Sequence, residues 1–570
     1  MYFMALAVDY DGTLADEGFV KAKTIEALIT FKESGRKLIL VTGRVLEDLK
    51  DIFDRLDLFD IVVAENGALL YTPQTENQRL LAEPPPEGFV EQLKSYGVTP
   101  LYRGHVIVAT EEPQEKIVLE IIRDMGLELK IIFNKGSVMI LPSGTNKLTG
   151  LTAALKELSL STHNVIGIGD AENDHSFLHA VGLGVAVANA YEAVKESAGW
   201  VTKGESGQGV KEVIDQLLKD ETALVSKVRH KITVGIDRQG QLLKLNPVDR
   251  VLIAGSSGVG KSTLATALTE EMAANGFQFC IFDPEGDHEN LENAITIGEI
   301  KSPPSKKQVM DILRDPTRNV IVSTLGIELS ERPSFFIQLS PQLISLKTSC
   351  GRPHWLIIDE AHHLIPAAKE SIISLPKEGV ILITVHPNEI AVETLKALNV
   401  VISLGPHAWD ILEQVSQIIG ESLPDFSDQT PSENELLIWQ RAPTSMIKIL
   451  KANQPKQQHK RHTRKYAEGD LSEEFCFYFR GPNHALHLKA QNLIIFLQIS
   501  EGIDDATWMY HLKRNDYSDW FRNHIKDDAL AQAAKQIEQD TSLSANQSKQ
   551  AIANLVKERY TAPASAKDSP

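Results

Sequence analysis

The sequence predicts an α/β protein of several domains, in which two parallel-sheet units precede a small, mainly helical region. A length of 570 residues exceeds what one hydrophobic core supports, so two or three domains are expected. Residues 1–218 alternate apolar, strand-like runs with amphipathic helical stretches, which is typical of a doubly wound parallel sheet. The same alternation starts again after residue 230 and indicates a second sheet.

The composition is that of an ordinary folded protein and excludes several functional classes. Hydrophobic residues make up 42% of the chain, and no apolar run reaches the length of a membrane span. The net charge of −18 argues against broad, non-specific nucleic-acid binding. The three cysteines, Cys280, Cys350 and Cys476, do not suggest disulfides or a metal site. The first residues lack the basic flank of a signal peptide, so we predict a cytoplasmic protein without a membrane partner.

The first predicted unit, residues 1–218, combines a sheet with an inserted cap. Its sheet is predicted from apolar runs separated by helical segments such as Thr24 to Ser34; the runs are Ala5 to Val8, Lys37 to Val41, Ile61 to Ala64 and Asn164 to Ile168. From about residue 80 to residue 142 this rhythm is interrupted. The interrupting stretch has its own strand signals, at His105 to Val108 and Val138 to Leu141, and predicts a small α+β cap.

The second predicted unit, residues 230–450, begins with a hairpin at Ile232 to Leu243. Further strand candidates are Val251 to Ala254, Phe279 to Phe282, Val320 to Ser323, Trp355 to Ile358 and Val380 to Val385. Residues 453–466 are polar and basic, as expected of a solvated linker or, alternatively, a phosphate-binding patch.

The last predicted unit, residues 467–561, is mainly helical, and residues 562–570 are predicted to form a disordered tail. N-capped helices with Trp508, Trp520 and Phe521 as core anchors are the preferred interpretation. The alternative is a peptide- or nucleic-acid-binding module that uses Lys513, Arg514 and Arg522.

Asp9 and Asp11 stand two residues apart at the end of the first apolar run. This spacing sends both side chains to the same side, at the strand end where open α/β sheets place their sites. One carboxylate can attack phosphorus and form an aspartyl phosphate, while the other can protonate the leaving group and then activate water. Taken alone, the pair favours an acidic strand-to-loop turn, and the phosphatase interpretation needs further support.

Further polar groups, in chain order, favour a phosphatase site. Thr42 follows the second strand and can donate a hydrogen bond to a phosphoryl oxygen, and Lys147 follows the cap and can neutralise negative charge. Asp170 and Asp174 follow another apolar strand and supply carboxylates for Mg²⁺, which prefers oxygen ligands. The alternatives are a helix cap for Thr42 and a surface position for Lys147.

The segments around Asp9, Thr42, Lys147 and Asp170 resemble the four motifs of the haloacid dehalogenase (HAD) superfamily of phosphatases. The resemblance covers residues 1–218 and implies that Asp9 is the nucleophile. It implies further that Asp11 is the general acid/base. Mg²⁺ would be bound by Asp9, Asp170 and the backbone carbonyl of Asp11, with Asp174 supporting the metal shell.

The segment Glu65 to Ala68 and the position of the cap resemble the HAD branch with a C2-type cap. That branch acts mainly on small phosphorylated metabolites, notably sugar phosphates and phosphoglycolate. A HAD-type transferase or mutase is an alternative; Asp11 favours hydrolysis or mutase chemistry over dehalogenation. Candidate substrate contacts are Arg44, Asn66 and Asn173.

Residues 255–262 match the phosphate-binding loop of P-loop nucleoside triphosphatases, between a strand and a helix as the motif requires. Backbone N–H groups and the helix N-terminus hold the phosphates, Lys261 reaches the β and γ phosphates, and Ser262 ligates Mg²⁺. The predicted ATP contacts are Gly255, Ser256, Gly258, Val259, Gly260, Lys261, Ser262 and Thr263.

Asp359 and Glu360 follow the apolar run Trp355 to Ile358. Asp359 suits Mg²⁺ binding, and Glu360 suits polarisation of the attacking water, which favours ATP hydrolysis over phosphoryl transfer to a small molecule. Without the phosphate-binding loop, the same pair would be interpreted as an acidic helix start.

The hairpin before this loop, the segment Asp283 to Asp287 and the polar end of a later strand resemble the HerA/FtsK-like ATPases. The resemblance covers about residues 230–450 and implies a ring-shaped hexamer with ATP at subunit interfaces. His386 occupies the expected sensor position, where that group usually has glutamine. Arg441 is a candidate arginine finger or, alternatively, an ordinary edge-strand arginine.

We therefore predict a Mg²⁺-dependent phosphomonoester hydrolase that works through an aspartyl phosphate and is fused to an ATP-hydrolysing domain. Its expected ligands are Mg²⁺, ATP and a small phosphorylated metabolite, and a homo-oligomer is expected, hexameric if motor-like. The alternative is a nucleic-acid-linked motor or defence protein whose HAD domain processes nucleotide or DNA-end phosphates, although the charge does not indicate nucleic acid. A third hypothesis is a non-catalytic, nucleotide-gated switch, against which Glu360 argues.

Overall fold

The computed structural model divides the chain into two compact units, Met1–Gln454 and Pro455–Pro570. The residues that the structure describes are 1–134, 136–256, 259–288, 291–299, 301–367, 374–426, 431–432, 435–442, 444–456, 475–482, 486–525 and 527–560. Among these residues, no helix is both long enough and apolar enough to cross a membrane. All three cysteines are buried free thiols.

The first part of the chain alternates strands with helices, as predicted. Its strands are β1 (Ala5–Val8), β2 (Lys37–Val41), β3 (Ile61–Ala64), β4 (Leu69–Thr72), β5 (Asn77–Leu80), β6 (Tyr102–Arg103), β7 (Val108–Glu111), β8 (Leu129–Asn134), β9 (Ser137–Pro142), β10 (Val165–Gly169), β11 (Leu183–Ala186) and β12 (Trp200–Val201). Its helices are α1 (Ala22–Glu33), α2 (Leu46–Ile52), α3 (Glu87–Ser95), α4 (Glu115–Asp124), α5 (Lys147–Glu157), α6 (His175–Ala180), α7 (Glu192–Ser197), α8 (Ser206–Lys219) and α9 (Glu221–Val225).

The core sheet of this part has the strand order β12-β11-β10-β1-β2-β3-β4-β5. Strands β12 to β3 are parallel, whereas β4 and β5 are antiparallel. Every residue of β1, β3, β10 and β11 is buried, because helices cover both faces of the sheet. The hydrophobic core of this part also includes Leu224, Val225 and Val228, which follow residue 218.

The inserted cap is a four-stranded antiparallel sheet of order β6-β7-β9-β8 with helices α3 and α4. Helix α4 buries Val118, Ile121 and Ile122 on one face, the spacing of an amphipathic helix. The predicted strand at His105 to Val108 is wrong for its first three residues, because β7 begins only at Val108. The N–H groups of residues 105–107 bond to a side chain of the core domain instead of a neighbouring strand.

The second part of the first unit contains the larger sheet. Its strands are β13 (Ile232–Asp237), β14 (Leu242–Leu245), β15 (Arg250–Gly255), β16 (Phe279–Asp283), β17 (Ala294–Ile297), β18 (Asn319–Ser323), β19 (Trp355–Ile358), β20 (Val380–Thr384), β21 (Val400–Leu404), β22 (Glu435–Gln440) and β23 (Met446–Ala452). Its helices are α10 (Lys261–Ala274), α11 (Lys306–Leu313), α12 (Arg332–Cys350), α13 (Ala361–Leu364), α14 (Val392–Lys396) and α15 (Ala408–Ile419).

This sheet has the order β14-β13-β23-β22-β21-β15-β20-β19-β16-β18-β17. Strands β21 to β17 are parallel, and β22, β23, β13 and β14 are antiparallel. The predicted hairpin before the phosphate-binding loop is confirmed as β13–β14. Arg441 follows β22, which is paired on both sides, so the prediction of an edge strand at this position is wrong.

The two sheets of the first unit meet at the amino ends of their strands. Asn164, just before β10, contacts His354, just before β19, and Arg352 donates to the carbonyl of Ser159. The side chain of Cys350 belongs to the core of the first domain. Asp170 and Asp359 follow the opposite, carboxyl ends of β10 and β19. At about 3.3 Å per residue these strands span roughly 17 and 13 Å. The two sets of acidic residues therefore lie at strand ends that are remote from the domain junction.

The second unit is a small, mainly helical core, as predicted for this region. It contains strands β24 (Phe477–Phe479) and β25 (Leu488–Ala490), and helices α16 (Leu493–Gly502), α17 (Asp505–Leu512), α18 (Asp516–Asn523), α19 (Asp528–Gln539) and α20 (Ala545–Tyr560). Trp508, Trp520 and Phe521 are buried, and Asp504 caps α17 through the N–H of Thr507, as the core-anchor interpretation expects. Arg514 is paired with Asp516 within this unit. The basic run at 459–465 and the tail at 562–570 lie outside the described residues.

Candidate active sites

Asp9 and Asp170 are brought together by two neighbouring parallel strands. Val8 at the end of β1 pairs with Ile168 of β10, and the N–H of Asp9 donates to the carbonyl of Ile168 at 3.0 Å. Both aspartates are buried. The hydroxyl of Thr13 donates to Oδ1 of Asp170 at 2.8 Å and orients that carboxylate.

Lys147 is the cation of this cluster and is itself buried, contrary to the surface alternative. It begins helix α5, whose first turn is held by a capping box between Asn146 and Thr149. Its Nζ lies 2.6 Å from Oδ1 of Asp9 and 2.5 Å from Oδ1 of Asp174. Removing the ammonium would leave buried carboxylates without their partner, a change that typically costs about 3–5 kcal/mol.

Asp174 joins the two halves of the cluster. Its Oδ2 accepts the N–H groups of Asp170 and Ala171, both at 3.0 Å, while its Oδ1 holds Lys147. Oxygen atoms of Asp9, Asp170 and Asp174 lie within 4.8 Å of one another. Three carboxylates and one ammonium leave two net negative charges in a buried space, and oxygen donors of this kind fit a divalent cation such as Mg²⁺.

The pKa values of Asp9 and Lys147 reflect the excess of carboxylates over ammonium in the cluster. Burial and the neighbouring charge of Asp174 raise the pKa of the Asp9 carboxyl well above its usual range. Burial opposes the charge of Lys147, but the carboxylates of Asp174 and Asp9 outweigh it and raise the pKa of the ammonium. Lys147 is therefore protonated, and an added cation would favour the ionised form of Asp9.

Asp11 lies at the rim of the cluster in a bidentate ion pair with Arg44. Nε and Nη2 of Arg44 each donate to one Asp11 oxygen at 2.7 Å. Both side chains are about one-third exposed, at 35% each. This fork geometry fixes the orientation of the Asp11 carboxylate at the mouth of the site.

The remaining predicted contacts surround the same space. Thr42 is fully buried after β2, and its hydroxyl oxygen accepts the N–H of Arg44 at 3.1 Å. The Asn173 amide donates to Oδ1 of Asn66 at 3.3 Å, and its own Oδ1 is buried with no hydrogen-bond partner. The cap closes on this side, because Met139 of β9 would lie 3.4 Å from a Cβ placed on Gly43.

The phosphate-binding loop occupies its predicted place between β15 and α10. Val259 packs between Gly255 and Gly405, where an added Cβ would lie 2.7 Å from it in either case. Gly260 adopts a left-handed conformation, with φ of +100°, just before α10. Lys261 donates to the carbonyl of Ser256 at 3.0 Å, and Ser262 and Thr263 lie in the first turn of the helix. Gly258 lies outside the described residues.

Asp359 and Glu360 follow β19, at the same edge of the sheet as the phosphate-binding loop. Oδ1 of Asp359 accepts the N–H of Glu360 at 2.9 Å, and Glu360 has a left-handed backbone with φ of +41°. Such a conformation is uncommon for a residue other than glycine and clusters at functional sites. The hydrogen bond to Glu360 holds the Asp359 carboxylate at the carboxyl end of its strand.

His288 is a residue of this site that the sequence analysis missed. Its Nε2 lies 3.1 Å from Oδ2 of Asp359, and its side chain is fully buried. Asp283 shapes the loop that carries it, because its carboxylate accepts N–H groups from Glu285 to His288. Burial opposes a charge on His288, but the hydrogen bond to Asp359 and the charge of Asp283 raise its pKa. The feature of the sequence that could have identified His288 is its position directly after the segment Asp283 to Asp287.

His386 follows β20, next to hydrogen bonds that are made by the hydroxyl of Thr384. Thr384 accepts the His386 N–H at 2.9 Å and contacts Nδ1 of His362 at 3.0 Å. The rings of His362 and His386 are 5.2 Å apart. Burial and the neighbouring histidines lower the pKa of His362 to about 4.

Arg441 has its guanidinium engaged within its own chain. It forms a bidentate ion pair with Glu421 and donates to the carbonyls of Leu395, Lys396 and Leu398 at the end of α14. These contacts favour a structural role in capping α14, since an arginine finger would have to break them.

Comparisons with known proteins assign the two parts of the chain to different families. A family model described as haloacid dehalogenase-like hydrolase matches residues 6–98 and 101–214, and one described as the central domain of helicase HerA matches residues 241–468. The phosphoglycolate phosphatase of Methanothermobacter thermautotrophicus is 30% identical over 224 residues, which are 38% of this chain and 98% of that relative. Phosphoglycolate phosphatase 2 of Saccharolobus solfataricus is 30% identical over 221 residues, 37% of this chain and 91% of that relative.

Among solved structures, a haloacid dehalogenase-like hydrolase from Bacteroides thetaiotaomicron is similar at 20% identity and a TM-score of 0.35, covering 38% of this chain and 99% of that one. Fold, site and family models together define an aspartate-centred phosphohydrolase joined to a P-loop ATPase. The chain belongs to the haloacid dehalogenase-like hydrolases, and its second part is a HerA-type ATPase domain. It is accordingly an enzyme, as the sequence predicted.

Proposed function

We propose that the first domain is a Mg²⁺-dependent phosphatase that hydrolyses a small phosphate monoester, phosphoglycolate or a sugar phosphate, through an aspartyl phosphate. The observation that carries the proposal is the buried cluster of Asp9, Asp170, Asp174 and Lys147, which combines a nucleophile with a divalent-cation site. Bound there, Mg²⁺ would neutralise the phosphoryl oxygens and lower the repulsion that Asp9 meets on its approach.

In the first half-reaction, a carboxylate oxygen of Asp9 bonds to phosphorus while the ester P–O bond breaks. Asp11 must carry a proton at this stage, so one of its oxygens leaves Arg44 and faces the leaving oxygen while the other keeps its contact. The proton passes to the leaving oxygen, and the alcohol departs neutral. In the second half, Asp11 takes a proton from water as the water oxygen bonds to phosphorus and the bond to Asp9 breaks. Thr42 and Lys147 donate to phosphoryl oxygens throughout, and the products are the alcohol, phosphate and the original enzyme.

The proposed substrate class rests on the cap and on the relatives. Met139 of the cap lies against Gly43 in the loop that follows β2, and we infer that this contact limits the size of the leaving group. Both relatives described above are named phosphoglycolate phosphatases. These observations favour a small metabolite over nucleic-acid ends.

For the second domain we propose ATP hydrolysis, with Lys261 on the β and γ phosphates, Ser262 and Asp359 as Mg²⁺ ligands, and Glu360 polarising the water. His386 is proposed to sense the γ-phosphate, next to the Thr384 network. By family likeness the active form would be a hexamer. Its coupling to the phosphatase would run through the domain junction, because the two sites lie at remote strand ends.

The test is a panel of phosphoglycolate, sugar phosphates and 5′-phosphorylated DNA, assayed on the full chain with Mg²⁺, with and without ATP. Phosphoglycolate turnover that vanishes in Asp9→Asn, while ATP hydrolysis survives, is the expected result. Equal loss of both activities would contradict separate sites. Preferential turnover of DNA ends, together with DNA-stimulated ATP hydrolysis at low salt, would support the nucleic-acid hypothesis instead.

A further inference from the structure

Glu65 is a fully buried carboxylate at the boundary between the core domain and the cap. It follows β3, and its side chain points into the cap rather than into the phosphatase cluster. Its Oε1 accepts the N–H of His105 at 2.8 Å, and its Oε2 accepts those of Val106 at 2.7 Å and Ile107 at 2.9 Å. Three consecutive cap residues thus donate to one core side chain.

The loop of residues 104–107 is shaped to receive this carboxylate. A Cβ added to Gly104 would lie 2.6–2.8 Å from the carboxylate atoms of Glu65, so glycine is required for the close approach. Glu65 itself has φ of +52°, a conformation that a non-glycine residue adopts at a cost. The close approach of Gly104 to Glu65 belongs to the contact between the two domains.

The backbone around Glu65 reaches the loop that carries Thr42 and Arg44. The N–H of Glu65 donates to the carbonyl of Arg44 at 2.9 Å, and the N–H of Asn66 donates to the carbonyl of Thr42 at 3.0 Å. Through its side chain and its backbone, Glu65 therefore connects the cap to the loop that bears proposed phosphate and Asp11 contacts.

The cap residues held by Glu65 form the underside of the cap. Val106 and Ile107 pack in one apolar cluster with Met139 of the cap and with Ala68 of the core, and Val45 packs against it. The same Met139 lies against Gly43 beside the site. By fixing residues 105–107, Glu65 also fixes the apolar cluster that contains Met139, and this cluster covers the phosphatase site from the cap side.

We propose that Glu65 is a positioning residue that fastens the cap over Asp9 and thereby restricts the phosphatase to small phosphate esters. The limit on substrate size (the restriction) rests on the proposed phosphatase function. The attachment of the cap by Glu65 (the fastening) does not. The carboxylate is specifically required, because both of its oxygens accept and an amide would turn one N–H acceptor into a competing donor.

The fastening is tested by amide hydrogen exchange on the full chain, resolved at residues 105–107. Glu65→Gln is expected to speed exchange at these amides by about tenfold or more, as for loss of hydrogen bonds to a charged acceptor. Glu76→Gln is the matched control, because Glu76 also has a positive φ, of +54°, but is exposed in the β4–β5 turn. Equal exchange in the two variants would overturn the proposal.

Gly104→Ala provides a second variant from the cap side, and keeps the proposal testable if Glu65→Gln does not fold. The added methyl group would push the loop away from an intact carboxylate, so the same three amides are expected to exchange faster. Unchanged exchange in Gly104→Ala would likewise count against the fastening.

The restriction is tested with phosphoglycolate and the bulkier p-nitrophenyl phosphate. In Glu65→Gln the KM for phosphoglycolate is expected to rise severalfold with kcat within about twofold, while kcat/KM for p-nitrophenyl phosphate is maintained or increases. An equal decrease for both substrates would indicate only a structural role and would overturn the restriction. If the wild-type chain hydrolyses neither substrate, the proposed function and the restriction fail together, and the exchange experiment still decides the fastening.

Discussion

Asn164 and His354 make a buried hydrogen bond, with 3.1 Å between Oδ1 of Asn164 and Nε2 of His354, that ties the strand leading to Asp170 to the strand leading to Asp359. Nδ1 of His354 accepts the N–H of Gln278 at 2.8 Å, so its proton resides on Nε2 and donates to Asn164. The Asn164 amide also donates to the carbonyl of Tyr2 at 2.8 Å. One side chain therefore connects β1 and β10 of the phosphatase to β19 of the ATPase.

Asn164→Ala is expected to lower the free energy of unfolding by about 2–4 kcal/mol, because it leaves the His354 N–H and the Tyr2 carbonyl buried without partners. Urea unfolding of the full chain measures the change. Asn77→Ala, at an exposed strand position, serves as the control and should change the free energy by less than about 0.5 kcal/mol. A similar small effect for Asn164→Ala would show that the contact does not stabilise the junction.

The junction is also expected to weaken in mild acid. Burial and the charge of His230 lower the pKa of His163 from 6.5 to about 4, and burial lowers that of His354 well below 6.5. At a pH between the lowered pKa of the folded state and 6.5, the unfolded chain binds protons that the folded chain does not. The stability is therefore fully present above pH 6.5 and is lost as the pH falls. His163 alone should contribute a loss of about 2 kcal/mol between pH 7 and pH 5.

Urea unfolding at several pH values between 7 and 5 measures this slope. His163→Gln should flatten it, since glutamine does not titrate. A slope equal to that of the wild type would assign the acid sensitivity to other groups.

Mg²⁺ without nucleotide is expected to stabilise the folded protein, because the cation binds the three aspartates only when they are assembled. At about one hundred times the dissociation constant the gain would be about 2.7 kcal/mol. Thermal unfolding with and without Mg²⁺ measures it. Asp170→Asn should remove most of the gain, whereas the exposed Asp124→Asn should retain it. An undiminished gain in Asp170→Asn would place the cation elsewhere.

Arg44→Ala is expected to lower the phosphatase kcat by about a hundredfold, because Asp11 loses the bidentate contact that aims it at the leaving oxygen. Steady-state kinetics on phosphoglycolate measure the effect. Arg55→Ala, which removes an exposed pair with Asp57, is the control. A change confined to KM would instead indicate that Arg44 only binds substrate.

His288→Ala is expected to reduce ATP hydrolysis about 10- to 100-fold and to raise the Mg²⁺ concentration needed for half-maximal activity, because Asp359 loses its buried partner. The phosphatase activity of the same preparation is an internal control for folding. His407→Ala, at an exposed position, should leave both activities intact. An unchanged Mg²⁺ requirement in His288→Ala would contradict the positioning role.

Much of the site was accessible from the sequence because its residues follow buried strands. Asp9, Thr42 and Asp170 each stand directly after an apolar run, and parallel strands bring their carboxyl ends to one edge of the sheet. Lys147 was accessible for a different reason, since it begins a helix directly after the cap. The position of these residues relative to the predicted strands and helices was thus enough to predict that they lie in one site.

Other features depend on contacts between distant segments and leave no local pattern. The sequence of residues 105–107 predicts a strand, yet their N–H groups donate to Glu65, which lies 40–42 residues earlier in the chain. The sequence predicts Arg441 as an arginine finger or an edge-strand residue, but its partners are Glu421 and the end of α14. His288 gained its role only when the loop shaped by Asp283 placed it against Asp359.

The sequence by itself determined the class of chemistry, because motif spacing and strand periodicity are local properties of the chain. It predicted Asp9 beside Asp11, the phosphate-binding loop that ends at Ser262, and a sheet behind each of them. The tertiary structure alone decided that Glu65 holds the cap and that Asn164 and His354 join the two domains back to back. Those relationships arise from buried polar groups that must find partners when the chain packs, and the partners are set by the fold rather than by neighbouring residues.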